Sequence, residues 1–202
     1  ELILNSPKVK ELQITKVSRG QPLELSFAQE RMWILYELEA EKANYNIPSV
    51  QSLKGRLDLK AMEKSLISII DRHESLRVKF TVIDGVPKQE FLEAGKFKVE
   101  FEDLRKFRRK LKDVLKKRLD EDIKKPFDLS LGNLIRAKVY KLGTEEHVLF
   151  ICMHHIVSDF WSQNIFHEEL GYFYEKYASG EEPEIKALDI QYADFAHWQR
   201  EL

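Results

Sequence analysis

Cysteine is all but missing from this chain: Cys152 is the one thiol among 202 residues. A single thiol excludes an intrachain disulfide framework and suits a reducing cytoplasm. Long apolar runs are missing too, since none approaches the ~20 residues that a membrane-spanning helix needs. The opening "ELILNSPKVKELQITKVSRGQP" mixes charges throughout, unlike the apolar segment of a signal peptide. It also lacks an initiator Met, which reads as a cut inside a longer polypeptide. Neither sign of charge dominates: 33 Lys+Arg against 34 Asp+Glu leave a formal net charge of −1. No global attraction to nucleic acid or to an anionic membrane is expected from that balance. Glycine is sparse, with eight in all, and no glycine-rich phosphate loop or G-x-S-x-G elbow occurs. The chain offers no obvious nucleophile, which points to chemistry whose substrates bring their own.

What is present is a globular composition, 43% hydrophobic and 33% charged, enough for one domain or one lobe of a larger one. Residues 1–21 read as a polar linker ending in a turn-like "SRGQP". Ser26 and Gln29 form a capping box that opens a helix to about Leu38. "NYNIPSVQSLKGRLD" reads as a strand between turns. A helix from Leu59 puts Met62, Leu66, Ile69 and Ile70 on one face. Leu76, Val78, Phe80 and Val82 alternate before Asp84-Gly85, a strong hairpin signal, and "FKVEF" reads as a short strand. The basic stretch at 104–121 carries Leu104, Phe107, Leu111, Val114, Leu115 and Leu119 at helical spacing, so it reads as a solvated amphipathic helix. Two strands follow, "LIRAKVYKL" and "HVLFICM", the second a continuous apolar run expected at the centre of a sheet. Then come a helix with Ile165, Phe166, Leu170, Phe173 and Tyr177 inward, and a final helical segment, "LDIQYADFAHWQREL". The fold class is therefore α/β with a mixed sheet.

The chemistry concentrates in "MHHIVSDFWS", residues 153–162. Successive side chains of a strand point to opposite faces, so His154 and His155 cannot share one pocket. Adjacent histidines seldom chelate one ion, and no second His/Cys cluster has ligand spacing; no metal is expected. Cys152, between Ile151 and Met153, reads as a buried inert thiol. Physics leaves two readings of the histidines open: core residues satisfied by backbone, or a strand-end base steadied by Asp159.

The segment resembles the H-H-x-x-x-D-G motif of nonribosomal peptide synthetase condensation domains, with Phe160 where that motif has glycine. "SFAQERMWIL" (26–35), "RHESLRVKF" (72–80, Val78 where Thr is commoner) and "YADFAHW" (192–198, His197 in a usually apolar place) resemble three further family motifs, in order. The likeness covers about 22–202. It implies a chloramphenicol acetyltransferase-like lobe, a mixed β-sheet with helices packed on it, whose companion C-terminal lobe is absent. It further implies amide formation: the amine of an acceptor aminoacyl thioester attacks a donor acyl thioester. Both would arrive on phosphopantetheine arms of upstream and downstream peptidyl carrier proteins, beside an adenylation domain, with no cofactor bound by this chain. By that resemblance His155 is catalytic and His154 structural. Asp159 holds the loop through an ion pair with an arginine, Arg77 being the candidate. Ser158, inside the motif, is supporting, Trp161 and Ser162 adjoin it, and Phe160 either turns into the core or narrows the substrate tunnel. A lone lobe is expected to be inactive and to expose an apolar surface. A non-catalytic carrier-binding platform and an epimerisation-type domain are the alternatives.

Overall fold

A computed structural model describes residues 13–93, 95 and 97–202; residues 1–12 of the expected linker lie outside them. Two sheets form. The smaller is built from β1 (Leu23–Glu24), β3 (Val78–Ile83) and β4 (Val86–Phe91), in the order β1-β4-β3. The larger contains β2 (Asn46–Lys54), β5 (Glu100–Asp103), β6 (Ile135–Lys141) and β7 (Glu146–His154), in the order β2-β7-β6-β5. β7 is central and antiparallel to both neighbours, while β5 joins β6 in parallel. The helices are α1 (Phe27–Leu38), α2 (Leu59–Arg72), α3 (Leu111–Lys124), α4 (Phe160–Ala178) and α5 (Tyr192–Glu201).

Local chemistry explains most of these boundaries. Ser26 and Gln29 close the capping box of α1, and Asp58 caps α2 by accepting from the Lys60 and Ala61 N–H groups. Met62, Leu66, Ile69 and Ile70 are buried, as their spacing requires. Asp84 and Gly85 both take positive φ, the combination that a two-residue hairpin turn with native twist demands. Gly132 has φ +73°, and a Cβ there would lie 2.6 Å from a Leu92 methyl and 3.1 Å from the Val78 carbonyl oxygen. That close approach packs the 126–134 connector onto the hairpin.

Three expectations shift. The "FKVEF" strand pairs only from Glu100, three residues late. Leu104 N–H donates to Lys141 O, prolonging the β5–β6 ladder and keeping Leu104 out of the helix expected there. A 3₁₀ segment (Arg105–Lys110) with Arg108 at φ 42° intervenes, and α3 starts at Leu111. Ile165, expected inward on α4, is partly exposed, whereas Phe166, Leu170 and Phe173 are buried.

The period-two pleat divides β7 between two unlike faces. Leu149, Ile151 and Met153, with Ile135, Ala137 and Val139 of β6, meet the aliphatic side that α2 and α4 cover. Val148, Phe150, Cys152 and His154 look the other way, beside Arg136, Lys138 and Tyr140 of β6. There Arg136 donates to the Asp122 and Lys125 carbonyls at the end of α3 and lies 4.0 Å over the Phe127 ring. A cation at a helix C-terminus answers the carbonyls left without intrahelical donors.

The described end of the expected linker is anchored. Val17 N–H and the Arg19 guanidinium both bond the buried Asp194 carboxylate at the start of α5, and Arg19 also pairs with Glu74. Gln191 bridges the same region, accepting from Glu74 N–H and donating to Arg72 O.

Candidate active site

β7 ends at His154, and the chain turns at once: Val157 N–H donates to His154 O at 3.1 Å. His154 is fully buried. Its N–H continues the ladder to Leu134 O, and its Nδ1 accepts from Ile156 N–H at 3.1 Å. Acceptance at Nδ1 leaves the ring proton on Nε2, which has no hydrogen-bond partner among the described residues. The rings of Tyr36, Tyr45 and Phe127 surround it edge to face at 5.8 to 6.3 Å. Burial, reinforced by the neighbouring His155, pushes the His154 imidazolium down to about 4, so the ring is neutral and fixed.

His155 lies one residue beyond the strand. Its backbone N–H donates to Tyr45 O at 2.9 Å, which holds the turn, and its side chain is exposed. It stands at an open cleft of about 340 Å³. The turn 155–159 forms one wall, and Trp161 and Ser162 at the start of α4 extend it.

Asp159 is the N-cap of α4. Its carboxylate accepts from Ser162 N–H at 2.8 Å, and Ser162 Oγ accepts from Asp159 N–H at 2.8 Å. The Ser162 backbone N–H holds the Asp159 carboxyl below its usual range, with smaller contributions from the Ser162 hydroxyl and His155. The loop is thus steadied by a helix start. The expected ion pair with Arg77 does not form. Arg77 begins the hairpin ladder, accepting at its own carbonyl from Leu92 N–H, while its guanidinium donates to Leu92 O at 2.9 Å and sits 3.8 Å from Glu74. Among the described residues no ion pair joins Asp159 to an arginine.

Phe160 does not turn into the core. It is the first residue of α4, does not take a positive φ, and is 83% exposed. A helical backbone accepts phenylalanine where the resembled motif has glycine. The side chain neither enters the core nor lines the cleft. Trp161, 74% exposed, does line it, and Ser158 Oγ lies 3.4 Å from Ser162 Oγ.

The opposite wall carries residues that the sequence did not mark as site residues: Met32 of α1, Ser75, Tyr192 of α5, and Gln29, expected only as a capping partner. They fall inside the quoted stretches "SFAQERMWIL", "RHESLRVKF" and "YADFAHW". Four stretches spread over more than 160 residues therefore meet at one cleft. Ser26 Oγ and Tyr192 OH, 2.9 Å apart, join the first to the last. Membership of a shared motif was the available signal, though not which member would face the cleft.

The other titratable groups do structural work. Burial pushes the Cys152 thiol up to about 11 beside Arg136, so it is no nucleophile near neutrality. His167 sits between Ser49 Oγ and Gln51 Nε2, fastening α4 to β2. Among the described residues no group of three or more His, Cys, Asp or Glu is arranged to hold a metal ion.

Comparison with known proteins identifies the family and the fold. The Condensation domain family model matches residues 20–202, and the chain belongs to that family. It is 41% identical over 188 residues to malpibaldin synthetase of Mortierella alpina, covering 93% of this chain and 3% of that protein. It is 36% identical over 189 residues to a dimodular nonribosomal peptide synthase of Bacillus subtilis (strain 168), covering 94% of this chain and 8% of the relative. Among solved structures, the X-domain from teicoplanin biosynthesis superposes with TM-score 0.82 at 28% identity, covering 94% of this chain and 40% of that one. The first condensation domain of the calcium-dependent antibiotic synthetase superposes with TM-score 0.74 at 22% identity, covering 84% and 40%. The fold is thus the chloramphenicol acetyltransferase-like lobe of condensation domains, and the chain spans under a tenth of these two relatives and two-fifths of these two solved chains.

Proposed function

We propose that the parent protein of this chain joins two carrier-bound substrates through an amide bond, and that His155 serves that reaction. The observation that carries the proposal is the division between the two histidines. His154 is neutral and sealed among aromatic rings, whereas His155 stands free at the cleft where the four motif stretches meet. The acceptor amine attacks the donor carbonyl, a C–N bond forms, and the C–S bond breaks. The proton lost by nitrogen ends on the departing thiolate. His155 can take that proton in passing, or hold the amine in line; a general base contributes ~10²–10⁴-fold, and alignment of two reactants can add more.

The substrates would be presented on phosphopantetheine arms by an upstream and a downstream peptidyl carrier protein. An open cleft with Met32, Ile156 and Val157 on its walls suits a thin, largely uncharged arm. Neighbouring adenylation domains fit the great length of the multidomain relatives.

The test is single-turnover condensation by the intact parent with both carriers loaded, wild type beside His155→Ala. A loss of a hundredfold or more, with carrier binding unchanged, supports catalysis through His155. A second reading has one observation behind it: a solved neighbour, the teicoplanin X-domain, occurs in complex with OxyB. On that reading the parent is a binding platform. It would hold loaded carrier yet release no amide, with or without His155.

A further inference from the structure

A second, smaller recess of about 80 Å³ lies behind the cleft, between α2, α4 and the end of β7. The two spaces are continuous in their lining: Ser75, Val157, Ser158 and Ser162 border both. Beyond that shared rim the recess is walled by Ile69, Leu76, Met153 and Phe166, with Ile165 at its outer side.

Its inner wall is apolar. Most of the polar groups around it already have partners, and the Ser75 hydroxyl stands on the rim shared with the cleft. His73 Nε2 meets Glu169 at 2.7 Å, Ser162 is consumed by the helix cap, and Ser158 lies near Ser162. None of the buried side-chain polar atoms lacking a partner, among the described residues, borders this space. Past the Ser75 hydroxyl at the rim a polar guest would find nothing to bond, whereas an aliphatic one would cover the apolar wall. Its volume is about half of the ~150 Å³ cavity that admits benzene, which leaves room for about three or four carbons.

We propose that this recess is a side-chain subsite that selects a small branched aliphatic residue, of valine or leucine size, on one of the substrates brought to His155. The assignment rests on the condensation reading above. The recess opens beside the turn 155–158, so a substrate whose reacting carbon lies at His155 can place its side chain past the three serines. Glycyl and alanyl groups would leave it unfilled, and aromatic groups would exceed it. One methylene gained or lost in such a pocket is worth about 10- to 200-fold in selectivity.

Two measurements on the intact parent protein test this. The first is binding of N-acetylcysteamine thioesters of glycine, alanine, valine, leucine and phenylalanine, which needs no turnover. Valyl or leucyl thioester should bind at least about tenfold tighter than glycyl. Ile165→Phe, a substitution on a partly exposed helix position that narrows the recess, should erase that preference and leave glycyl binding unchanged. Val157→Ala should move the preference toward phenylalanyl. The second is single-turnover condensation with the same residues loaded on the donor carrier and, separately, on the acceptor carrier. The arm whose rates follow the binding order identifies the substrate that enters. Equal binding of all five thioesters, or an equal change for all five in both variants, overturns the subsite and marks the recess as a packing gap. A wild type that binds valyl or leucyl thioester selectively but makes no amide keeps the subsite and overturns the condensation reading instead. Amide formation with no dependence on either side chain does the reverse.

Discussion

Two adjacent histidines in this lobe live in opposite worlds, and the contrast shows how a strand end makes a site. His154 is the last residue of the ladder, so its backbone is paired, its Nδ1 is occupied and its ring is enclosed by Tyr36, Tyr45 and Phe127. One residue later the ladder has ended. His155 keeps a single backbone tie, to Tyr45 O, and its ring is delivered to the cleft. The buried residue supplies rigidity, and the exposed one opens onto the cleft. The same split runs through the sheet: aliphatic where α2 and α4 pack, and polar where Arg136, Lys138, Tyr140 and Asp122 interlock beneath α3.

The contrast can be tested from its strongest consequence downward. His155→Ala should lower single-turnover condensation by ~10²-fold or more with an unchanged melting temperature. A large drop in stability would show that the exposed histidine is structural after all. His154→Ala should do the opposite at the level of folding, costing about 3 kcal/mol in chemical denaturation through the lost packing inside the aromatic box. A near-zero cost would show that the box collapses without strain.

His154 also links stability to pH. Its folded value of about 4 lies below the unfolded 6.5, so protonation favours the unfolded chain. The stabilisation is complete above 6.5 and is lost as pH falls from there through 4, by about 3 kcal/mol. His154→Asn can keep an acceptor near Ile156 N–H but cannot titrate, and should flatten that part of the stability–pH curve. An unaltered slope would assign the titration to other groups.

Smaller effects belong to the loop. Asp159→Ala removes the α4 cap and should cost about 1 kcal/mol, with Asp159→Asn retaining most of it; equal losses would mean that charge matters more than the cap. Phe160→Gly should be the mildest. The residue is exposed, on a helical backbone and outside the cleft lining, so stability should move by about 0.5 kcal/mol or less and the condensation rate by no more than about twofold. A marked rate increase would show that Phe160 obstructs a substrate path completed by parts beyond this chain.

Much of the lobe is legible in the order of its residues. The capping box at Ser26, the Asp84-Gly85 hairpin, the buried face of α2 and the apolar central strand all follow from signals spanning four to fifteen residues. The start of α3 is not legible, because Leu104 is held by a strand pairing to Lys141, more than thirty residues away. The partner of Arg77 escapes for a similar reason. A guanidinium takes the nearest acceptors that folding supplies, and these are Leu92 O and Glu74.

By itself, then, the order of residues determined most of the elements, the opposite facing of His154 and His155, and the family to which the motifs belong. These depend on backbone periodicity and on hydrogen bonds between near neighbours. Only the tertiary structure decided that Gln29, Met32, Ser75 and Tyr192 line the cleft at His155, that Asp159 caps α4 with no arginine paired to it among the described residues, and that a small apolar recess lies behind three serines. Those facts arise from contacts between segments distant in the chain, whose geometry is set by how the sheets and helices fill one another's surfaces.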